Sequence, residues 1–181
     1  WSVRNCFEKN DFDGLDDFLA YFQNTMLQMR DSNLPVIAAP VGMSIGGGFE
    51  VVLHADHVVS HANSVMGLVE SFVGVVPAGG GCKEMLYRWT EKLNDTQKGA
   101  WKSFMNIGLG RKANSPQEAD ALSMRRPGDT FQMNRDRILD AALSTIGATK
   151  KAAKREPLAL SGAEHYQEML EWLEVNHKKG M

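Results

Sequence analysis

The stretch PVGMSIGGGFEVVLHAD, residues 40–56, sets three consecutive glycines directly before a phenylalanine and a glutamate. A glycine in a helix interior costs about 0.5–1 kcal/mol relative to alanine, so three in a row must serve a backbone conformation or a close approach. Upstream, PVIAAP (residues 35–40) is a short apolar run bounded by prolines, with the length and β-branched content expected of a buried strand. Before it, residues 15–29 carry apolar side chains at Leu15, Phe18, Leu19, Phe22, Met26 and Met29. This is a helical stripe, with Asp13 as candidate N-cap and SNLP (residues 32–35) as its stop. Downstream, FEVVLHAD fits one or two helical turns and HVVSHA a further strand. Helix, strand, glycine turn, helix, strand is an α/β order.

Residues 66–89, MGLVESFVGVVPAGGGCKEMLYRW, repeat the theme. Glu70 sits between apolar neighbours, and after Pro77 a second glycine run opens onto the helical CKEMLYRW, whose N-terminus would present free N–H groups and partial positive charge. Beyond it, helices are expected at 95–107, 115–122, 134–146 and 163–176, the second with Ser115 as N-cap, Pro116 in the first turn and Glu118 completing a capping box. The C-terminal half therefore reads as mostly α. The basic KKAAKREP (residues 150–157) reads as a hinge between helices, and its lysines as a solvated face. A core over residues 1–145 and a C-terminal helical extension over 146–181 are the expected domains.

Composition narrows the partners. A net charge of −2 gives no basic field of the kind that draws a protein to nucleic acid or anionic membranes, and no apolar run reaches the length of a membrane span. Two cysteines, Cys6 and Cys82, make no spacing pattern, which suits a reducing compartment: a bacterial cytoplasm or an organelle matrix. The chain opens on Trp1 rather than methionine, so a preceding segment is expected.

The chemistry has to come from the two glycine-plus-glutamate segments. Glu50 alone reads first as a first-turn carboxylate stabilised by the helix dipole. Glu70 is harder to dismiss, because a carboxylate among Leu68, Val69, Phe72 and Val73 is unusual unless paired or functional. Two such carboxylates, each beside glycines that let backbone N–H groups come close, fit general acid/base work on a substrate whose oxyanion those N–H groups hold.

The run from Leu34 to Gly81, LPVIAAPVGMSIGGGFEVVLHADHVVSHANSVMGLVESFVGVVPAGGG, resembles the signature region of the crotonase, or enoyl-CoA hydratase, superfamily. The likeness is greatest to the hydratase portion of multifunctional 3-hydroxyacyl-CoA dehydrogenases. It implies the crotonase fold, a ββα superhelix, with the first strands of its sheet lying before Trp1. Residue by residue it gives Glu50 and Glu70 as the catalytic pair, Gly47 as an oxyanion-hole N–H, and Gly46, Pro77 and Gly80 as substrate-binding positions. The implied substrate is an acyl-CoA thioester, without a prosthetic group, in fatty-acid β-oxidation, and the implied assembly a homo-oligomer, trimer or hexamer. In that assembly C-terminal helices pack on neighbours, here through AEHYQEMLEWLEV with Tyr166, Leu170 and Leu173 on one face. Ala78 stands where many members have glycine, and the family's second oxyanion donor is not legible in WSVRNCFEKND.

Neither SIGGGFE nor VPAGGGCKE has the spacing of a dinucleotide fingerprint, so no NAD site is expected. His54, His57 and His61 invite a zinc reading, but a helix-to-strand change between them makes their side chains diverge. Two classes stay open: a hydratase or related isomerase, and a non-catalytic assembly module. Both glutamates favour hydration over isomerisation, which needs one carboxylate to shuttle a proton.

Overall fold

The computed structural model describes residues 3–179. Two helices open it, α1 (Val3–Lys9) and α2 (Phe12–Asp31). The chain then runs β1 (Ile37–Ala38), β2 (Met43–Ile45) and α3 (Gly47–Leu53), and repeats the order with β3 (His57–His61), β4 (Val65–Gly67), a single 3₁₀ turn (Glu70–Val73) and α4 (Gly81–Leu93). The two passes stack in parallel, Ile37 opposite His57 in one sheet and Met43 opposite Val65 in the other. This is one step of a ββα superhelix: each pass adds a strand to each of two sheets and then a helix. β5 (Lys112–Ala113) pairs antiparallel with β4, and β6 (Thr130–Gln132) parallel with β3. The remaining helices are α5 (Thr96–Gly108), α6 (Pro116–Ala121), α7 (Ile138–Thr145) and α8 (Ala163–His177).

The core lies where α3 is enclosed. Phe49, Val52 and Leu53 of α3 bury against Val58 of β3, Met66 of β4, Leu68, and Met85 and Trp89 of α4. At about 25 cal/mol per Å² of apolar surface removed from water, such side chains are worth roughly 1.5–3 kcal/mol each. The first turn of α3 is thereby fixed. No helix among the described residues is long and apolar enough to cross a membrane.

Several elements differ from the sequence reading. α2 begins three residues before Leu15, because Asp11 rather than Asp13 caps it, its carboxylate accepting the Gly14 N–H at 2.9 Å. α1 occupies the segment in which no element was expected. PVIAAP supplies only the two-residue β1, a half-buried edge strand rather than a buried one. The capping box at α6 is half formed: Ser115 Oγ accepts the Glu118 N–H at 3.2 Å, but the Glu118 carboxylate takes the Asn114 N–H at 2.7 Å.

The largest departure is the basic segment. Residues 150–156 form no helix face; they run as an extended strap across the ends of α2, α3 and α4. Lys151 Nζ donates to Met29 O and to Asp56 Oδ2, each at 3.0 Å, and the Ala152 N–H donates to Asp56 Oδ1 at 2.9 Å. Arg155 Nη1 meets Glu84 Oε2 at 2.7 Å, its guanidinium lies 4.7 Å over the Tyr87 ring, and Tyr87 Oη donates to Glu156 O. Opposite charges buried in the core recruit these cations, which a reading of the segment by itself cannot see. Beyond the strap, α8 docks through Trp172, edge-on to Trp101 and Phe104 of α5, and leaves Tyr166 exposed.

Candidate active site

Everything turns on Gly46. Its φ of +56° and ψ of −134° belong to a region that side chains avoid, and its N–H donates to Gly67 O at 2.9 Å, pinning the turn to β4. Its carbonyl accepts from Phe49 and Glu50, which starts α3 within the glycine run itself. Among the described residues no protein acceptor takes the N–H of Gly47 or Gly48, as the geometry of a first helical turn requires.

Glu50 sits in that first turn, 2% exposed. Its Oε1 accepts the Gly81 N–H at 2.7 Å, so a carboxylate from α3 plugs onto the positive end of α4. Burial pushes its pKa above the usual carboxylate range; the Gly81 and Gly79 N–H groups pull the other way, and the Glu70 charge pushes it further up.

Glu70 opens the 3₁₀ turn and is half-buried. Its Oε1 stands 3.3 Å from where a Cβ on Gly46 would lie, and its Oε2 is buried with no hydrogen-bond partner in the protein. Of the apolar neighbours that made Glu70 conspicuous, Leu68 belongs to the core, but Phe72 and Val73 are 70% and 76% exposed. Their side chains leave the turn toward solvent, while Glu70 points back at the glycines.

The second glycine run completes the wall. Gly80 has φ +108°, and a Cβ there would come within 3.0 Å of the His54 ring. Pro77 is buried, its Cβ 2.9 Å from the Cβ position of Gly81. Gln23 of α2 donates to Ala78 O at 2.8 Å, clamping α2 onto this run. Glu50, Glu70, Gly46, Gly47, Gly80 and Pro77 thus converge on the two glycine turns.

Three residues near the site carried no functional reading in the sequence. Cys82, the residue after the glycine run, is exposed at the surface, and partial burial together with the Glu50 and Glu70 charges pushes its thiol up. Glu84, one helical turn into α4, is 1% exposed, with Arg155, Lys83, Arg126 and His54 around it at 2.7–3.8 Å. Burial works against its charge, but Arg155, His54 and Lys83 outweigh it and hold the carboxyl below its usual range. Phe22 of α2 lies against both turns. A glutamate in the first turn of a helix was the only local signal for Glu84; the other two were spaced like core and surface.

The three histidines go to different partners. His54 Nδ1 bonds Glu50 O at 2.8 Å, with burial lowering its pKa; His57 Nδ1 lies 3.7 Å from Asp129; His61 Nε2 lies 3.2 Å from Met133 O. The described residues contain no group of three or more His, Cys, Asp or Glu able to hold a metal ion.

Residues 9–93 match the family described as Enoyl-CoA hydratase/isomerase. A probable 3-hydroxyacyl-CoA dehydrogenase of Bacillus subtilis is 33% identical over 83% of this chain, and a putative fatty acid oxidation complex trifunctional enzyme of Rickettsia felis 31% identical over 80%. The match spans 19% of the length of each of these relatives. The crystal structure of an enoyl-CoA hydratase from Thermoplasma volcanium superposes with a TM-score of 0.65 over 99% of this chain and 61% of its own, at 20% identity, a likeness of fold. Matched sequence and fold together place the chain in the enoyl-CoA hydratase/isomerase, or crotonase, family.

Proposed function

We propose that the site adds water across the double bond of a 2-enoyl-CoA thioester. The observation that carries this reading is the pairing of an anchored carboxylate with an open one: Glu50 is held by the Gly81 N–H at 2.7 Å, while Glu70 Oε2 has no protein partner. A buried acceptor left unpaired is costly, and a water bound between the two carboxylates would satisfy it. Glu50, whose raised proton affinity makes it a stronger base than an ordinary carboxylate, takes one proton of that water. The water oxygen bonds to Cβ, and the double-bond electron pair moves through Cα onto the thioester oxygen as an enolate. Cα then takes the proton that Glu50 received, which restores the carboxylate, so that the net change is the addition of one H₂O. The free Gly47 N–H is one donor for the enolate oxygen.

The product is a 3-hydroxyacyl thioester. The name of one relative, a probable 3-hydroxyacyl-CoA dehydrogenase, refers to the same class of thioester, which supports this reading. The test is steady-state hydration of a short 2-enoyl-CoA by the full-length protein carrying Glu50→Gln or Glu70→Gln. Each should lower kcat by about 10²–10⁴-fold with a much smaller change in KM, because the lost interaction is made mainly in the transition state. Near-normal turnover in either variant would exclude its role. A double-bond shift without water uptake would instead identify an isomerase.

A further inference from the structure

α2 lies across the two glycine turns and presses one side chain into the gap between them. A Cβ on Gly79 would fall 2.4 Å from Phe22 Cε1 and 2.7 Å from its Cζ, and a Cβ on Gly47 would lie 3.5 Å from that Cζ. The same Gly79 position is 3.0 Å from Glu50 Oε2. Ring, bare glycine and carboxylate therefore form one contact sequence, with Gly79 between Phe22 and Glu50. The ring is held in place from two sides. Phe18 stacks alongside it, 6.4 Å between centroids and 15° between planes, and the neighbouring Gln23 clamps Ala78 O at 2.8 Å.

We propose that Phe22 is a positioning residue acting through Glu50: its ring closes the α2 side of the site to water and sets the width between the two glycine turns. The consequence rests on the hydratase reading above. With Gln23 engaged on Ala78 O, α2 offers no hydrogen bond to the Glu50 carboxylate, which keeps the backbone N–H groups of the second glycine run and the water of the proposed reaction. The titratable groups around Glu50 are Glu70 on the 3₁₀ turn, Cys82 on α4 and His54 one turn on in α3; Phe22 and Gln23, which α2 brings, do not titrate. Burial is the largest cause of the raised proton affinity of Glu50, which agrees with a ring that excludes solvent. A bare glycine at 79 is what allows this approach, since any side chain there would displace the ring.

The test compares Phe22→Leu, which keeps apolar bulk, with Phe22→Ala, which opens the wall, both in the full-length protein. kcat/KM for a 2-enoyl-CoA rises with pH as the base ionises. Its acid limb should move to lower pH by about half a unit or more in Phe22→Ala and by less in Phe22→Leu, as water reaches the carboxylate. kcat should fall about three- to tenfold in Phe22→Ala. A second readout needs no turnover. Glu50→Gln removes a buried carboxylate whose ionisation opposes folding, so it should raise Tm more at about pH 8 than at about pH 5, and this pH-dependent gain should shrink in the Phe22→Ala background. An unmoved acid limb together with an unchanged gain, whatever the loss of Tm, would reduce Phe22 to ordinary packing and overturn the proposal. If the gain shrinks while Glu50→Gln leaves hydration intact, the shielding stands and the hydratase role of Glu50 fails.

Discussion

At the scale of single residues, the three glycines before Phe49 are not equivalent. Gly46 alone has the positive φ; Gly47 has ordinary helical geometry, and a Cβ there meets only the Phe22 ring at an ordinary 3.5 Å. The positive φ thus falls one residue before the glycine that the resemblance gives as an oxyanion donor. Gly47→Ala should therefore fold with stability within about 1 kcal/mol of the parent, since alanine is the better helix former. Gly46→Ala should lose about 1–3 kcal/mol by thermal or urea unfolding, from backbone strain as well as pressure on Glu70 Oε1 at 3.3 Å. Gly47→Val, which sets a branched side chain beside the open N–H groups, should keep most of its stability yet lose about 10²-fold or more in kcat/KM. A folded Gly47→Val protein with unaltered kcat/KM would show that this N–H does not serve the reaction.

Among the elements, the strap over residues 150–156 ties the site to distant sequence. Arg155 reaches Glu84 on α4, the helix whose first N–H holds Glu50, and Lys151 reaches Asp56 just beyond α3. Breaking one partner of a buried pair typically costs about 3–5 kcal/mol, but Arg155 is partly exposed, and Arg126 and Lys83 stay within 3.7 Å of Glu84. Arg155→Met should accordingly destabilise by about 1–3 kcal/mol in urea unfolding at neutral pH. Because the folded carboxyl is held below its unfolded value, the stabilisation is present above the unfolded pKa and is lost as pH falls through the folded one. The gap between Arg155→Met and the parent should thus close on acidification; a gap that stays constant with pH would mean that packing on Tyr87, rather than charge, holds the strap.

For the molecule as a whole, the balance of buried and exposed apolar surface is uneven. Phe72, Val73 and Val76 around the Glu70 turn are exposed, as are Tyr166 and Leu173 on α8. Apolar groups gathered this way mark surfaces that something covers. Assembly of the full-length protein into a trimer or hexamer is the expected outcome of sedimentation at micromolar concentration, and a clean monomer would count against it. Such an assembly would bring α8 to a neighbour through Tyr166 and Leu173, since Trp172 is already spent within the chain on Trp101 and Phe104.

Many local features were legible in sequence because their cause is local, although the cap of α2 falls on Asp11 rather than Asp13 and α1 left no signal. The cap at Ser115, the start of α4 at the second glycine run and the stripe of α2 all follow from neighbours within one helical turn, and the structure has each of them. The glycine-plus-glutamate segments marked the site for the same reason: a carboxylate and a bare backbone within a few residues of each other are visible in the chain itself. The strands of two or three residues were not, because an alternation needs more length than that to show, and what defines them is pairing with the next pass of the superhelix. Nor could sequence say that Glu50 is anchored by Gly81, that Phe22 fills the gap at Gly79, or that a basic run seemingly made for solvent turns inward to Glu84 and Asp56. Those are contacts between distant segments, and burial sets their strength: where the fold removes water, a charge or a ring acquires a partner that spacing along the chain does not specify.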